Sequence, residues 1–270
     1  MLQRRPKNLR LNEYERNMMR AACRFNAQLH DFLRTQIRPG LTTREIDRLV
    51  YKYTRDHGHV PAPLGYRGQK GAFPASCCTS VNDVICHGIP GDYILRDGDI
   101  INVDCTTIVN GWHGDSSETY IVGAPSDTAR KVVQAAHDAM WLAIRAIKPN
   151  SRISEIGDAI VAHAHSLGYS VVEEYVGHGV GRQFHQPPTI PHAPTDESRR
   201  QKLEVGTCFT IEPMINTGVK DAMSSKRDGW TVRTKDGGLS AQFEHSVLMT
   251  ETGPEVLTLT KNGPQEGHVF

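Results

Sequence analysis

Residues 101–122 read INVDCTTIVNGWHGDSSETYIV. Ile101, Val103, Cys105 and Val109 stand on odd positions, and Asn102, Asp104 and Thr106 on even ones. That alternation has the period of a β-strand, whose successive side chains point to opposite faces. Asn110-Gly111 follows, a pair that accepts the positive φ angles of a two-residue hairpin turn. With those two residues at the turn, Thr106 faces Asp115 and Asp104 shares their face. The two aspartates become a diagonal cross-strand pair with backbones about 7–8 Å apart. Carboxylates that close repel one another unless a cation lies between them. A pair of aspartates alone also fits a strand face turned to solvent, so other segments must decide.

Three of them weigh against the solvent face. EYVGHGVGRQFHQPP, residues 174–188, places His178 in a Gly-rich stretch with His185 seven residues on. TCFTIEPMIN, residues 207–216, sets Glu212 between Ile211 and Pro213, and LSAQFEHSVLMT, residues 239–250, sets Glu244 in another strand-like run. Each acid interrupts an apolar strand, where an unpaired charge is costly. Two Asp, two Glu and one His on separate strands make a ligand set for two divalent cations. Oxygen donors with one imidazole suit hard or borderline ions such as manganese, iron(II), cobalt or zinc, and this is not the donor set of a thiolate zinc site.

The chain has 270 residues, which at about 150 per domain allows one large domain or two smaller ones. Its 31 Lys and Arg against 30 Asp and Glu leave a net charge of +1, so composition gives no reason to expect DNA or a membrane surface as the main partner. No stretch approaches the ~18 apolar residues of a membrane span. The start, MLQRRPKNLRLN, carries Arg4, Arg5, Lys7 and Arg10 but no apolar run of the kind a secretory signal needs. The expected compartment is the cytoplasm, where the six cysteines, with Cys77 and Cys78 adjacent, are expected as reduced thiols. Residues 1–11 read as a basic, solvated tail ahead of a single unit over 12–270. The sharper reading of that tail is a contact with an anionic surface such as ribosomal RNA.

Asn12 with Glu15 has capping-box spacing and predicts a first helix, with Tyr14, Met18, Ala21, Phe25, Leu29 and Leu33 on its inner face. Thr42 with Glu45 predicts a second, with Ile46, Leu49, Val50 and Tyr53 inward. Residues 59–100 read as loops and short strands. Helices are expected at about 126–147 and 152–167, then mostly strand and loop, with a turn at Asp236-Gly237-Gly238. RPGLTTREIDRLVYKYTRDHG from Arg38 and KPNSRISEIGDAIVAHAHSLG from Lys148 align without a gap at an offset of 110 residues. Each follows a long amphipathic helix and precedes a strand-rich stretch, which predicts two related halves and a site drawing ligands from both.

Competing signatures are absent: no H-E-x-x-H, no G-x-S-x-G, no G-x-x-x-x-G-K-[ST] and no C-x-x-C. Gly177, Gly179 and Gly181 lack the Lys-Ser/Thr of a phosphate loop and are read as room for close backbone approach beside His178. His30, His137, His163 and His165 fall on predicted helix faces and are read as packing or surface residues.

VNDVICHGIP (81–90), INVDCTTIVNGWHGDSS (101–117), GHGVGRQFH (177–185), FTIEPM (209–214) and DGWTVRTKDGGLSAQFEH (228–245) stand in one family's order and close to its spacing. From about Asn12 to Val256 the chain resembles the type I methionine aminopeptidases, metallopeptidases of the pita-bread fold. The resemblance implies an α+β architecture of two pseudo-twofold-related halves, with a central antiparallel sheet covered by helices. It implies a monomeric dimetal aminopeptidase that removes the initiator methionine of nascent proteins and prefers a small second residue. The metal ligands would be Asp104, Asp115, His178, Glu212 and Glu244. Asp115 and Glu244 would bridge the two ions (cobalt, manganese, iron(II) or zinc), Asp104 completing one and His178 with Glu212 the other. A bridging water of lowered pKa would attack the carbonyl after the first residue. Glu212 would be the base or proton shuttle, His185 would hydrogen-bond the carbonyl, and His87 would contact the amino end and the scissile amide. The free α-amine would bind the second ion. Tyr66, Phe73, Cys78, Phe184 and Trp230 would wall the thioether pocket, where rings offer favourable sulfur contacts.

One departure stands out. The family reads GYRG followed directly by F-P-x-S, whereas GYRGQKGAFPASCC carries four extra residues, Gln69 to Ala72, on the pocket rim between Tyr66 and Phe73. Two other readings are carried beside the peptidase: a non-catalytic pita-bread protein that binds peptides or proteins, and a related peptidase cutting X-Pro bonds.

Overall fold

A computed structural model describes residues 9–68 and 71–270, so Arg4, Arg5 and Lys7 of the tail and Gln69 and Lys70 of the extra segment lie outside the described residues. The hairpin takes the form its alternation predicts. Strands Ile100–Val109 and Trp112–Ile121 are joined by Asn110 and Gly111 at φ 51° and 80°. Thr106 pairs with Asp115 and Asp104 with Ser117. Cys78–Val81 and Val60–Pro61 line the other edge of Ile100–Val109, with Cys78 opposite Asp104.

Helices α1 (Glu13–Arg34) and α2 (Thr43–Asp56) start on the two expected capping boxes, Asn12 with Glu15 and Thr42 with Glu45. The inner face of α1 differs from the expectation over its first turns. Tyr14 is 68% exposed and Ala21 is exposed, while Met19, Ala22, Cys23, Asn26 and His30 are buried with Phe25, Leu29 and Leu33. The cause is close approach. A Cβ on Gly114 would run into the backbone of Ala22 and Cys23, so α1 lies almost directly on the hairpin. At that distance small and hydrogen-bonding side chains must face inward. Asn26 donates from Nδ2 to the carbonyls of Cys105 and Gly114, and the His30 ring meets the Tyr120 hydroxyl and the Ser116 carbonyl.

Helices α3 (Asp127–Ala146) and α4 (Ser154–Ser166) belong to the second half. They bury Val132, Val133, Ala136, Met140, Ile156 and Ile160 against Phe209, Ile211 and Ile215. Beneath them lie a five-stranded antiparallel sheet (Gln186–Ile190, Gly177–Gly179, Cys208–Ile211, His245–Thr250, Gly253–Val256) and a three-stranded one (Ser240–Gln242, Met214–Asn216, Ser170–Val171). The 110-residue offset has a structural counterpart. Gly58 and Gly168 both follow their helices at φ 77°, and the strands Val60–Pro61 and Ser170–Val171 come next. Lone bridges Thr42–Ile94 and Arg152–Lys202 tie down the two helix starts. This is the α+β pita-bread arrangement. The halves join where Ser117 bridges Glu244 and where Asn102 and Thr119 donate to the Gln242 carbonyl.

All six cysteines are buried and free, and no helix among the described residues is long and apolar enough to cross a membrane. The end of the N-terminal tail is docked: Leu11 is buried and its N–H donates to the Gly206 carbonyl.

Candidate active site

Asp104 and Asp115 come from the hairpin, His178 from Gly177–Gly179, Glu212 from just beyond Cys208–Ile211, and Glu244 from just before His245–Thr250. Donor atoms of Asp115, His178 and Glu244 lie within 4.8 Å of one another. His178 Nε2 is 3.6 Å from Asp115 Oδ2 and 3.7 Å from Glu212 Oε1. The glycines beside His178 let the strands close in, because a Cβ on Gly177 would meet the Thr210 carbonyl and one on Gly179 the Pro187 carbonyl.

A ring of hydrogen bonds aims these groups. Thr106 donates its hydroxyl to Asp115 Oδ1 at 2.7 Å. Thr210 accepts the His178 backbone N–H and donates to Glu212 Oε1 at 2.8 Å. Gln242 Nε2 donates to Glu212 Oε2 at 3.2 Å. His178 Nδ1 faces the Gly179 carbonyl at 3.1 Å. A carbonyl can only accept, so the proton sits on Nδ1 and the Nε2 lone pair faces the carboxylates.

Burial pushes Asp104 up to about 7 and carries Asp115, Glu212 and Glu244 well above the usual carboxylate range, with repulsion among the acids adding to it. Burial also holds His87 and His178 down to about 4 and His185 to about 3, so all three are neutral near pH 7. Asp115 Oδ2 is buried without a hydrogen-bond partner, and no Lys or Arg among the described residues lines the cavity. Crowded acids, an orphaned carboxylate oxygen and a lone pair turned inward are what divalent cations would satisfy, since they replace repulsion with attraction. The residues therefore fit the metals that the donor chemistry suggests.

A cavity of about 340 Å³ opens over these ligands. Tyr66, Phe73, Cys78, Phe184 and Trp230 line it, and so do His87 and His185 with all five candidate ligands. The structure thus brings every sequence-selected site residue to one cleft. His87 has φ 55°, a conformation uncommon outside glycine and concentrated where function holds it. Its ring stands edge-on to Tyr175 at 5.4 Å and to Trp230 at 6.3 Å. The His185 ring lies 4.2 Å from that of His178 and 5.1 Å from Tyr66.

The supporting residues Thr210, Gln242 and His192 are not among those the sequence singled out. Thr210 and Gln242 stand two positions before Glu212 and Glu244, so strand periodicity could have found them. His192 carries no such signal. It is fully buried and accepts the Glu212 backbone N–H on Nε2 at 3.2 Å.

Residues 17–251 match the model of metallopeptidase family M24. The chain is 49% identical over 250 residues to methionine aminopeptidase A of Synechocystis, covering 92% of this chain and 96% of that protein. The chain belongs to metallopeptidase family M24, among its methionine aminopeptidases. The Escherichia coli K12 methionine aminopeptidase is 44% identical over 246 residues, with 90% of this chain and 91% of that one covered. The crystal structure of methionine aminopeptidase from Rickettsia prowazekii has a TM-score of 0.89 at 42% identity, covering 93% of this chain and 99% of that one. Prolidase from Pyrococcus furiosus, at 21% identity and a TM-score of 0.73, shares the fold alone. Family M24 membership makes the chain a metal-dependent peptidase, and Asp115, His178 and Glu244 are where its own donors converge.

Proposed function

We propose that this methionine aminopeptidase removes the N-terminal methionine of nascent polypeptides, prefers a small second residue, and uses two divalent ions. The observation that carries the reading is the union, in one cleft, of a buried carboxylate–imidazole cluster with an aromatic wall. Asp104, Asp115, His178, Glu212 and Glu244 would hold the ions. When bound, the ions lower the pKa of a coordinated water and polarise the scissile carbonyl.

The chain's own groups do the rest. Glu212, held by Thr210 and Gln242, takes up a proton and passes it to the departing amine. His185, neutral, donates a hydrogen bond to the carbonyl oxygen as charge builds there. His87 orients the free α-amine and the scissile nitrogen. Tyr66, Phe73, Cys78, Phe184 and Trp230 receive the thioether side chain, where sulfur–ring contacts favour it. The same proposal places the chain in the cytoplasm as a monomer, with the basic tail reaching toward the ribosome.

The non-catalytic binding module has no observation in its favour, because all five candidate ligands are present in the cleft. The test is hydrolysis of Met-Ala-Ser and of an X-Pro peptide by metal-stripped protein, re-titrated separately with cobalt, manganese, iron(II) and zinc. Restored release of methionine supports the proposal. A folded, metal-binding sample that turns over neither peptide overturns it in favour of the binding module, and cleavage of the X-Pro peptide alone would move the chain to that activity.

A further inference from the structure

Strand Arg67–Gly68 pairs antiparallel with Gly71–Ala72, the last two of the four extra residues. Below it the ladder continues: the Phe73 N–H donates to the Tyr66 carbonyl and the Gly65 N–H to the Phe73 carbonyl. Two cavity-wall aromatics, Tyr66 and Phe73, thus stand at the base of this strand pair. A third, Trp230, leans on its upper part. A Cβ on Gly68 would fall 2.7 Å from Trp230 Cζ2 and 3.1 Å from Cζ3, inside contact distance of the six-membered ring. Gly68 does not have a left-handed φ, so its backbone would accept a side chain. The three atoms nearest that Cβ all belong to the indole.

Trp230 is also held from other directions. Its backbone N–H donates to Asp228 Oδ1, which takes the Thr231 N–H as well. Its ring stands edge-on to Phe73 at 5.3 Å and to His87 at 6.3 Å. A side chain at position 68 must therefore shift the indole from its place in the cavity wall.

We propose that Gly68 is a specificity-determining position: its bare backbone seats Trp230 and so sets how long a first side chain the cleft admits. The inference rests on the function proposed above, in which Trp230 walls the pocket for that side chain. Gly68→Ala and Gly68→Val would narrow the apolar end and discriminate by length. Against X-Ala-Ser peptides, Gly68→Val is expected to raise KM for methionine about tenfold or more, and for the longer ethionine further still, the range that one methylene commands in an apolar pocket. Norvaline, shorter, would lose least, and kcat would stay within about twofold. Gly68→Ala would follow in the same direction with a smaller effect, which guards against a misfolded valine variant.

The decisive control is the same substitution in a Trp230→Ala background, where its effect on the length series should vanish. An equal effect in both backgrounds, or an equal loss for every first residue, overturns the inference. Tryptophan fluorescence separates this failure from that of the function itself. Trp112 and Trp141 are buried while Trp230 is half-buried, so Gly68→Val should alter acrylamide quenching through Trp230 whether or not the chain turns over. Altered quenching in a chain that never releases methionine overturns the proposed function and keeps the contact. Normal turnover with unchanged quenching and selectivity overturns the contact's role.

Discussion

The two halves deliver the proposed metal ligands to the cleft by different physical routes. Asp104 and Asp115 ride on one hairpin whose Asn110-Gly111 turn sets the register, so their relation is local. His178, Glu212 and Glu244 come from separate strands. Ladder pairing of Cys208–Ile211 with His245–Thr250 and the missing side chains of Gly177 and Gly179 bring them together. In the second half one hydroxyl, that of Thr210, also serves two ligands at once. The first half is therefore expected to tolerate damage around one ligand, and the second half to transmit it.

The largest effects should come from the second half. His178→Ala is expected to abolish methionine release from Met-Ala-Ser even at saturating manganese or cobalt. Glu212→Gln keeps the shape of a ligand but cannot carry the proton, and is expected to lower kcat about 10²–10⁴-fold. Substantial turnover by either variant would break the assignment of that residue. The halves are compared more sharply by Thr210→Val and Thr106→Val. Groups that orient metal ligands are worth about 10–100-fold in metal affinity. Thr210→Val should fall near the top of that range, because it loses bonds to both His178 and Glu212. Thr106→Val loses one bond to Asp115 and should fall near the bottom. Calorimetric titration with manganese checks both, and the reverse order would erase the distinction between the halves.

The acids predict a pH dependence with a definite sign. Asp104 is raised from 3.8 to about 7 by burial, so its contribution to stability is present below the unfolded value and lost as pH rises through about 7. Glu118, buried beside Arg34, is raised to about 7 and acts in the same direction. His178 has the opposite sign. Lowered from 6.5 to about 4, its contribution is present above 6.5 and lost as pH falls through about 4. Nine further histidines lowered by burial share His178's sign and are still losing protons in the unfolded state just above pH 6.5, so the carboxylate part is isolated as the gain in Tm on adding manganese, which should grow between pH 6.5 and 8. Manganese should remove the part due to Asp104 and its neighbours and leave the part due to Glu118. A stabilisation by manganese that shrinks across that interval would contradict the crowded-acid description of the cleft.

Legibility in the sequence follows the same division. The hairpin, its register and its two aspartates could be read because alternation and turn chemistry act over a few residues. The capping boxes of α1 and α2 are local too. The inner face of α1 was not legible near its start, because a helix lying against a glycine selects small and polar residues that hydropathy does not mark. In the second half the acids could be noticed as charges interrupting apolar runs. Their convergence depends on pairing between strands far apart in the chain, and the assignment of roles among them came from family resemblance. His192 and the seat of Trp230 on Gly68 have no periodic signature at all.

The smallest expected effect tests whether the halves are equivalent at their helix starts. Thr42 and Arg152 occupy matching positions at the 110-residue offset. In the first half the box is complete: Thr42 Oγ1 accepts the Glu45 N–H, and Glu45 Oε2 accepts the Thr42 N–H at 2.7 Å. In the second half only the return arm exists. Glu155 Oε1 accepts the Arg152 N–H at 2.8 Å, but α4 has no side-chain cap. The Arg152 guanidinium instead reaches the carbonyls of Arg199 and Arg200. Thr42→Ala should cost about 1 kcal/mol, the usual loss of an N-cap. For a chain of this size that is a fall of about 2–4 °C in Tm. Arg152→Ser would supply the missing hydroxyl and lose the guanidinium contacts, and the two should offset to within about 0.5 kcal/mol. If Arg152→Ser costs more than Thr42→Ala, the start of α4 is held by its grip on residues 199–200 rather than by its own cap. The two helix starts would then share a position but not a mechanism.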